Sequence, residues 1–338
     1  HNPSGGYKIF RKADTMPNSS NTTNVYNQTA CGIDFETGSN LLVSIYSLVF
    51  LVGFMANSAT ICFIVHQVKL KNDFAVYLLS LSISDLLYLL TIPLWIKYIT
   101  NYHIWKLGHI SCYVAGFVFY SNMYVSIILL CCISIDRYLA VAYSLESQGI
   151  RTRKNAAMVS IFIVFIVFAI HFLLEIQAKK EVTTCYEDYP MESHIAKFNY
   201  FRFVSGFFLP LLILIFSYQK LFQKIKGASL TNKQKNKIKL LSVAVIVIFL
   251  ICFAPYHIIL LLRTIIYSLD PEKSCDFEKA VNFYFSLFLA VSGLNSAMDP
   301  ILYILVTDSV KNDYKKLLSS LRAYCSPQLT SVRSFPEA

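Results

Sequence analysis

The chain is predicted to be an all-α membrane protein, a bundle of seven spanning helices followed by a short amphipathic eighth. Three observations predict this fold. Of the 338 residues, 55% are hydrophobic and only 15% charged, and the mean hydropathy is +0.51, too apolar for a soluble domain of this size. The apolar residues fall into seven helix-length runs near 41–65, 74–99, 110–140, 155–175, 197–224, 237–267 and 280–307, each close to the length a bilayer demands. The bases gather in alternate loops: Lys69 and Lys71, then Arg151, Arg153 and Lys154, then Lys224, Lys226, Lys233, Lys235, Lys237 and Lys239. The positive-inside rule makes those loops cytoplasmic, so the net charge of +10 reflects topology and does not point to nucleic acid.

The elements follow in order. Residues 1–40 are polar and carry three glycosylation sequons, at Asn18, Asn21 and Asn27, which agree with the charges in putting the N-terminus outside. The first apolar run is then expected to act as its own insertion signal. Residues 41–307 form the seven-span domain, with kinks expected at Pro93, Pro210, Pro255 and Pro300, each inside a span. The third run ends abruptly in Asp136-Arg137-Tyr138, charges that mark the edge where hydrocarbon meets water. Residues 308–325 place Leu317, Leu318 and Leu321 for one face of a helix and Lys311, Lys315 and Lys316 for the other. That pattern suits a helix lying on the inner leaflet, with Cys325 as a palmitoylation candidate. Residues 326–338 read as a disordered tail.

The nine cysteines divide by depth. Cys62, Cys131, Cys132 and Cys252 lie within spans as reduced packing residues, whereas Cys31, Cys112, Cys185 and Cys275 map to the extracellular side, where disulfides persist. Four such thiols allow three pairings, and none has zinc-ligand spacing. The spans also hold Asn57, Asp85, Asn122, Ser126, Asn295, Ser296 and Asp299, polar groups that are expensive in hydrocarbon and belong in the bundle interior. They could line a transport path, but the chain shows neither an inverted repeat nor paired Gly-broken half-helices. No nucleophile–base, metalloprotease or phosphate-loop signature is present, so no enzymatic activity is expected.

Several motifs in order carry a resemblance. Asn57, Leu81-Ser82-Ile83-Ser84-Asp85, Asp136-Arg137-Tyr138, Pro210 with Tyr218, Cys252-Phe253-Ala254-Pro255-Tyr256 and Asp299-Pro300-Ile301-Leu302-Tyr303 together resemble a rhodopsin-like G-protein-coupled receptor. Within that family, Cys131 to Val141 and Ala254-Pro255-Tyr256-His257 look like the proton-sensing, lysophospholipid-linked branch. The resemblance implies disulfides Cys112–Cys185 and Cys31–Cys275, a plasma-membrane location, and a heterotrimeric G protein as partner, with arrestin and receptor kinases beside it. It implies that Asp136 holds Arg137 at rest and that Arg137, with Tyr138, Tyr218 and Tyr303, serves coupling once the sixth span swings about Pro255. Phe249 and Phe253 would repack as the switch. Asp85, Asn122, Ser126, Asn295 and Asp299 would form an ion or proton pocket, in which an allosteric sodium ion at Asp85 is the one cofactor the resemblance admits.

Departures from the family pattern matter as well. Val164 stands where a Trp is usual, and Val167 where the proton-sensing members carry a buried Glu. Lys235 stands where some relatives place an acid that locks Arg137. The resting state is therefore expected to rest on Asp136 alone and to leak basal activity. Toward the outer ends, Lys97, Arg202 and Arg263 would form a cationic mouth above an aromatic floor of Phe119, Tyr120, Phe253, Tyr256 and His257, suited to an anionic lipid such as a lysophospholipid or oxidised fatty acid. The competing reading of those bases is snorkelling to headgroups. His103, His109, His171 and His194 are placed in or near the outer loops and helix ends as proton-sensing candidates. A chemokine-like or nucleotide receptor of the same fold, or a transporter or channel, is the alternative.

Overall fold

A computed structural model describes residues 31–69, 75–175, 184–187, 189, 191–271 and 273–306. The sequons, the proposed inner-leaflet helix, Cys325 and the tail lie outside the described residues. Within them the chain is helical, and seven helical stretches are long and apolar enough to cross a membrane: Ser39–Val65, Ala75–Thr100, His109–Ala142, Arg153–Leu173, Ser193–Gly227, Asn232–Leu269 and Ser274–Leu305. The sixth and seventh start five or six residues before their apolar runs, because a polar first turn can still be helical. At the sixth, the Thr231 hydroxyl accepts from the Gln234 N–H and the Gln234 side chain accepts from the Thr231 N–H, a reciprocal cap. Before the first, Asp34 accepts from the Thr37 hydroxyl and from the Glu36 and Thr37 N–H groups. Those bonds, the Thr37 hydroxyl foremost, hold its carboxyl below the usual carboxylate range.

The first span is α1 (Ser39–Lys69). The second is divided into α2 (Ala75–Leu89) and α3 (Ile92–Thr100), with Pro93 in the first turn of α3, as its missing N–H requires. The third is α4 (His109–Ala142) and the fourth α5 (Arg153–Glu175). The fifth runs from α6 (Ser193–Phe203) through a π-turn at Val204–Phe208 into α7 (Leu209–Gly227), whose first turn holds Pro210. The sixth, α8 (Asn232–Leu269), passes Pro255 without a break in the helix. The seventh divides into α9 (Ser274–Ser292) and α10 (Leu294–Val306) at Gly293, seven residues before Pro300, which stays inside α10. Prolines 93 and 210 thus interrupt their helices, whereas the break in the seventh span belongs to a glycine.

The third span sits centrally, packed against α2, α5, α7 and α8. Large apolar side chains that elsewhere would mark a defect, such as Met55, Ile161, Phe162 and Phe165, are exposed on the outside, where lipid is the solvent. Inside, close approach is bought by small residues: a Cβ at Gly206 would run into the Tyr124 ring and one at Gly116 into the Tyr186 ring. Two disulfides, Cys112–Cys185 and Cys31–Cys275, lie at the same end of the bundle, opposite Arg137.

Candidate functional site

At the disulfide end, the Cys112–Cys185 bridge pins the loop before α6 over the top of α4, and Gly116 leaves room for Tyr186 to lie against that helix. Beneath this loop a cavity holds about 430 Å³ of non-atom space, open solvent at its mouth included, and is walled by Tyr120, Tyr186, Glu187, Tyr189, Asn199, Arg202, Tyr256, Arg263 and Phe285 among others. Arg202 is the charge of interest. Its guanidinium lies 4.8 Å from the Tyr120 ring and 4.5 Å from that of Phe198, and its buried Nε has no hydrogen-bond partner. Aromatic faces hold a cation without neutralising it, leaving its donors for an anion.

The other two bases of the expected mouth behave differently. Arg263 also lines the cavity, but its Nε donates to Glu278 Oε2 at 2.6 Å, both side chains almost fully buried, and its guanidinium stacks 3.9 Å from the Phe285 centroid. It is a structural ion pair between α8 and α9. Lys97 is exposed and lies outside the cavity wall, which favours snorkelling. The expected aromatic floor is also corrected in part. Tyr120 and Tyr256 line the cavity, while Phe253 and His257 are fully buried below it and Phe119 packs away against Tyr88 and Trp95.

The four histidines separate too. His103 is 4% exposed and its Nδ1 lies 2.8 Å from Glu187 Oε2, while the Tyr98 hydroxyl donates to the same oxygen at 2.9 Å. Phe35 stacks on the imidazole with centroids 4.5 Å apart, and Tyr102 and His103 both take positive φ, 54° and 56°, a costly backbone for two consecutive non-glycine residues. His109 is exposed at the start of α4, and His194 lies 3.3 Å from Glu192 at the start of α6. His171 does not face the outside. It is buried, its Nδ1 bonded to the Val167 carbonyl at 3.0 Å and its ring stacked on Tyr124, because the residue falls on the inward face of its helix.

Midway down, Asp85 Oδ1 accepts from Asn122 at 3.1 Å and Ser296 at 2.8 Å. Asp299 lies within interaction range of Asp85. Asp85 Oδ2, both Asp299 oxygens and Ser126 Oγ are buried without a donor, and Asn295 Nδ2 is buried without an acceptor. Two carboxylates and a hydroxyl with spare lone pairs fit a shared proton or a monovalent cation. Groups of three or more His, Cys, Asp or Glu arranged for a metal are absent among the described residues. Above this core the Phe249 ring stacks on Phe207 at 5.5 Å and meets Phe253 edge-on at 5.7 Å. Pro255 follows two residues after Phe253, half-buried.

At the opposite end, Asp136 binds Arg137 through the latter's Nε and terminal nitrogen. Tyr218 shares a 2.6 Å hydrogen bond with Ser134, Tyr138 packs edge-on against Tyr143, and Tyr303 is buried. Asp136 has a second partner that the sequence reading passed over, Arg151.

Residues 56–303 match the model of the 7 transmembrane receptor (rhodopsin family). The chain belongs to that family. This receptor is 41% identical over 300 residues to mouse "Probable G-protein coupled receptor 132", covering 88% of this chain and 78% of that one. It is 36% identical over 311 residues to human "G-protein coupled receptor 68" (90% and 83% covered). It is 30% identical over 308 residues to mouse "Lysophosphatidic acid receptor 6" (88% and 89%). The receptor is accordingly a multi-pass plasma-membrane protein that signals through G proteins, and not an enzyme. Glu187, Glu278 and Arg151 are the site residues sequence reasoning missed. The first two lie two and three positions beyond disulfide cysteines already placed at that end, and the third was absorbed into the topology argument.

Proposed function

We propose that the receptor, with its N-terminus outside, converts an anionic amphiphile, extracellular acidity, or both into nucleotide exchange on a heterotrimeric G protein. The observation that carries the ligand half is Arg202: a guanidinium in the cavity wall, framed by aromatic rings, with no ion pair among the described residues. A carboxylate or phosphate head would complete its donors while an acyl chain lies against Tyr120, Tyr256 and Phe285. Arg202→Ala at normal surface expression is expected to shift the dose curve of a lysophospholipid or an oxidised fatty acid by more than tenfold, since a charge-assisted contact contributes about 1.5–3 kcal/mol. An unchanged curve removes Arg202 as the anchor.

The acid half has its own support in His103. A buried imidazole facing a carboxylate gains a full ion pair on protonation, and imidazole is the side chain that changes charge between roughly pH 5 and 8. Asp85 and Asp299 supply a second, deeper site, where proton uptake removes repulsion between buried carboxylates or displaces a cation they share. Val167, buried on the fourth span with its carbonyl bonded to His171, adds no third acid, so the expected pH response is shallow. Asp34 stays ionised at these pH values and takes no part.

A further inference from the structure

The Arg137 end carries one more arrangement. Asp136 has a side chain only 8% exposed and is met by two guanidinium groups. Arg137 directs two of its nitrogens, Nε and one terminal nitrogen, to one oxygen, Oδ2. Arg151 spans the carboxylate, with Nε 2.9 Å from Oδ1 and a terminal nitrogen 3.4 Å from Oδ2. The fork therefore belongs to Arg151, and the residue that must leave on activation holds only one side.

Arg151 is also well anchored. The turn that presents it is bonded to both flanking helices: the Arg151 N–H donates to the Ser147 carbonyl at 2.8 Å, and the buried Ser147 hydroxyl reaches the Leu139 carbonyl in α4 at 3.3 Å. From α5, the Asn155 side chain donates to the Ile150 carbonyl at 2.8 Å. Arg151 thus approaches Asp136 from a braced loop, while Arg137 approaches from the helix that bears the acid.

We propose that Arg151 is a standing counter-ion for Asp136: it keeps both carboxylate oxygens bonded when Arg137 swings away, so that activation does not strand a buried anion. The inference rests on the reading of Arg137 as the group released to the G protein. A buried carboxylate stripped of its last cation is strongly disfavoured, and that penalty would otherwise fall on the active state. With Arg151 in place the penalty is removed in advance, and Asp136 divides its attraction between two cations instead of gripping one. Arg151 therefore favours the signalling state. A simple lock in the same position would favour rest, so the sign of its removal separates the two.

The test is agonist-free nucleotide exchange on purified Gα subunits by receptor in membranes, at matched surface expression. Arg151→Met should lower the basal rate by about tenfold, the change that 1.4 kcal/mol represents, and Arg151→Lys, a cation without the fork, should fall between Met and wild type. In an Asp136→Asn background, where no anion needs compensation, Arg151→Met should change nothing further. A basal rate that rises or holds in Arg151→Met, or falls equally in both backgrounds, overturns the proposal. Should Arg151→Met not reach the surface, Arg151→Gln keeps hydrogen-bond donors without charge and carries the same expectation. Arg137→Ala separates the parent reading: undiminished exchange there sinks the role of Arg137, whereas an inactive Arg137→Ala with an indifferent Arg151→Met sinks the counter-ion alone.

Discussion

At the scale of single residues, the receptor places charges where their partners decide their use. Arg202 and Arg263 share one cavity wall, yet among the described residues only the second has a carboxylate, Glu278, against it. Sequence could count three bases near the outer ends but could not tell which were already neutralised, because the acids that decide it come from other elements. His103 shows the same limit: its loop position was legible, while the Glu187 beside it is 84 residues away. Replacing His103 with Phe keeps an aromatic ring for Phe35 and removes the charge. Acidification then no longer adds an ion pair to Glu187, and the pH-dependent rise in exchange should shrink. Asp299→Asn removes one member of the buried carboxylate pair and should shift or flatten that curve more than any single His→Phe change. Exchange measured from pH 8 down to pH 6 checks both, and an unaltered Asp299→Asn curve at normal expression dismisses the dyad.

At the scale of elements, all seven spans were legible because each must bury its own backbone hydrogen bonds in lipid, which forces one long apolar helix per crossing. Their interruptions were less so. Proline announces itself at positions 93 and 210, but the break in the seventh span falls at Gly293, where the Tyr88 hydroxyl occupies the space a Cβ would need. Inward orientation was also hidden, as His171 illustrates, since a helix apolar all round gives no periodicity to read. Gly116 turns such a close approach into a prediction. A methyl at Gly116 must displace Tyr186 from the top of α4, so Gly116→Ala should weaken the response to a lysophospholipid several-fold in potency while agonist-free exchange stays at the wild-type rate.

For the molecule as a whole, the disulfide end is bound crosswise: Cys31 to Cys275, Arg263 to Glu278, and the Tyr189 hydroxyl to Asn282 at 2.7 Å. Glu278→Gln leaves a buried guanidinium without its anion and should destabilise the purified receptor by about 3–5 kcal/mol, whereas the double change Arg263→Met with Glu278→Leu should be close to neutral. Thermal unfolding in detergent measures both. The crosswise ties also set an order on biosynthesis. Cys31 emerges before the seven spans described, but its partner follows 244 residues later, a wait of about 12 to 50 s at ribosomal speeds of roughly 5–20 residues per second. With the N-terminus outside, as proposed above, Cys112 and Cys185, 73 residues apart, both reach the oxidising lumen during that interval. The first cysteine must therefore stay reduced beside a ready-made pair of rivals. Newly made chains sampled over time on non-reducing gels should show the Cys112–Cys185 bond first, and cells short of disulfide isomerase should accumulate receptor with Cys31 joined to the wrong thiol.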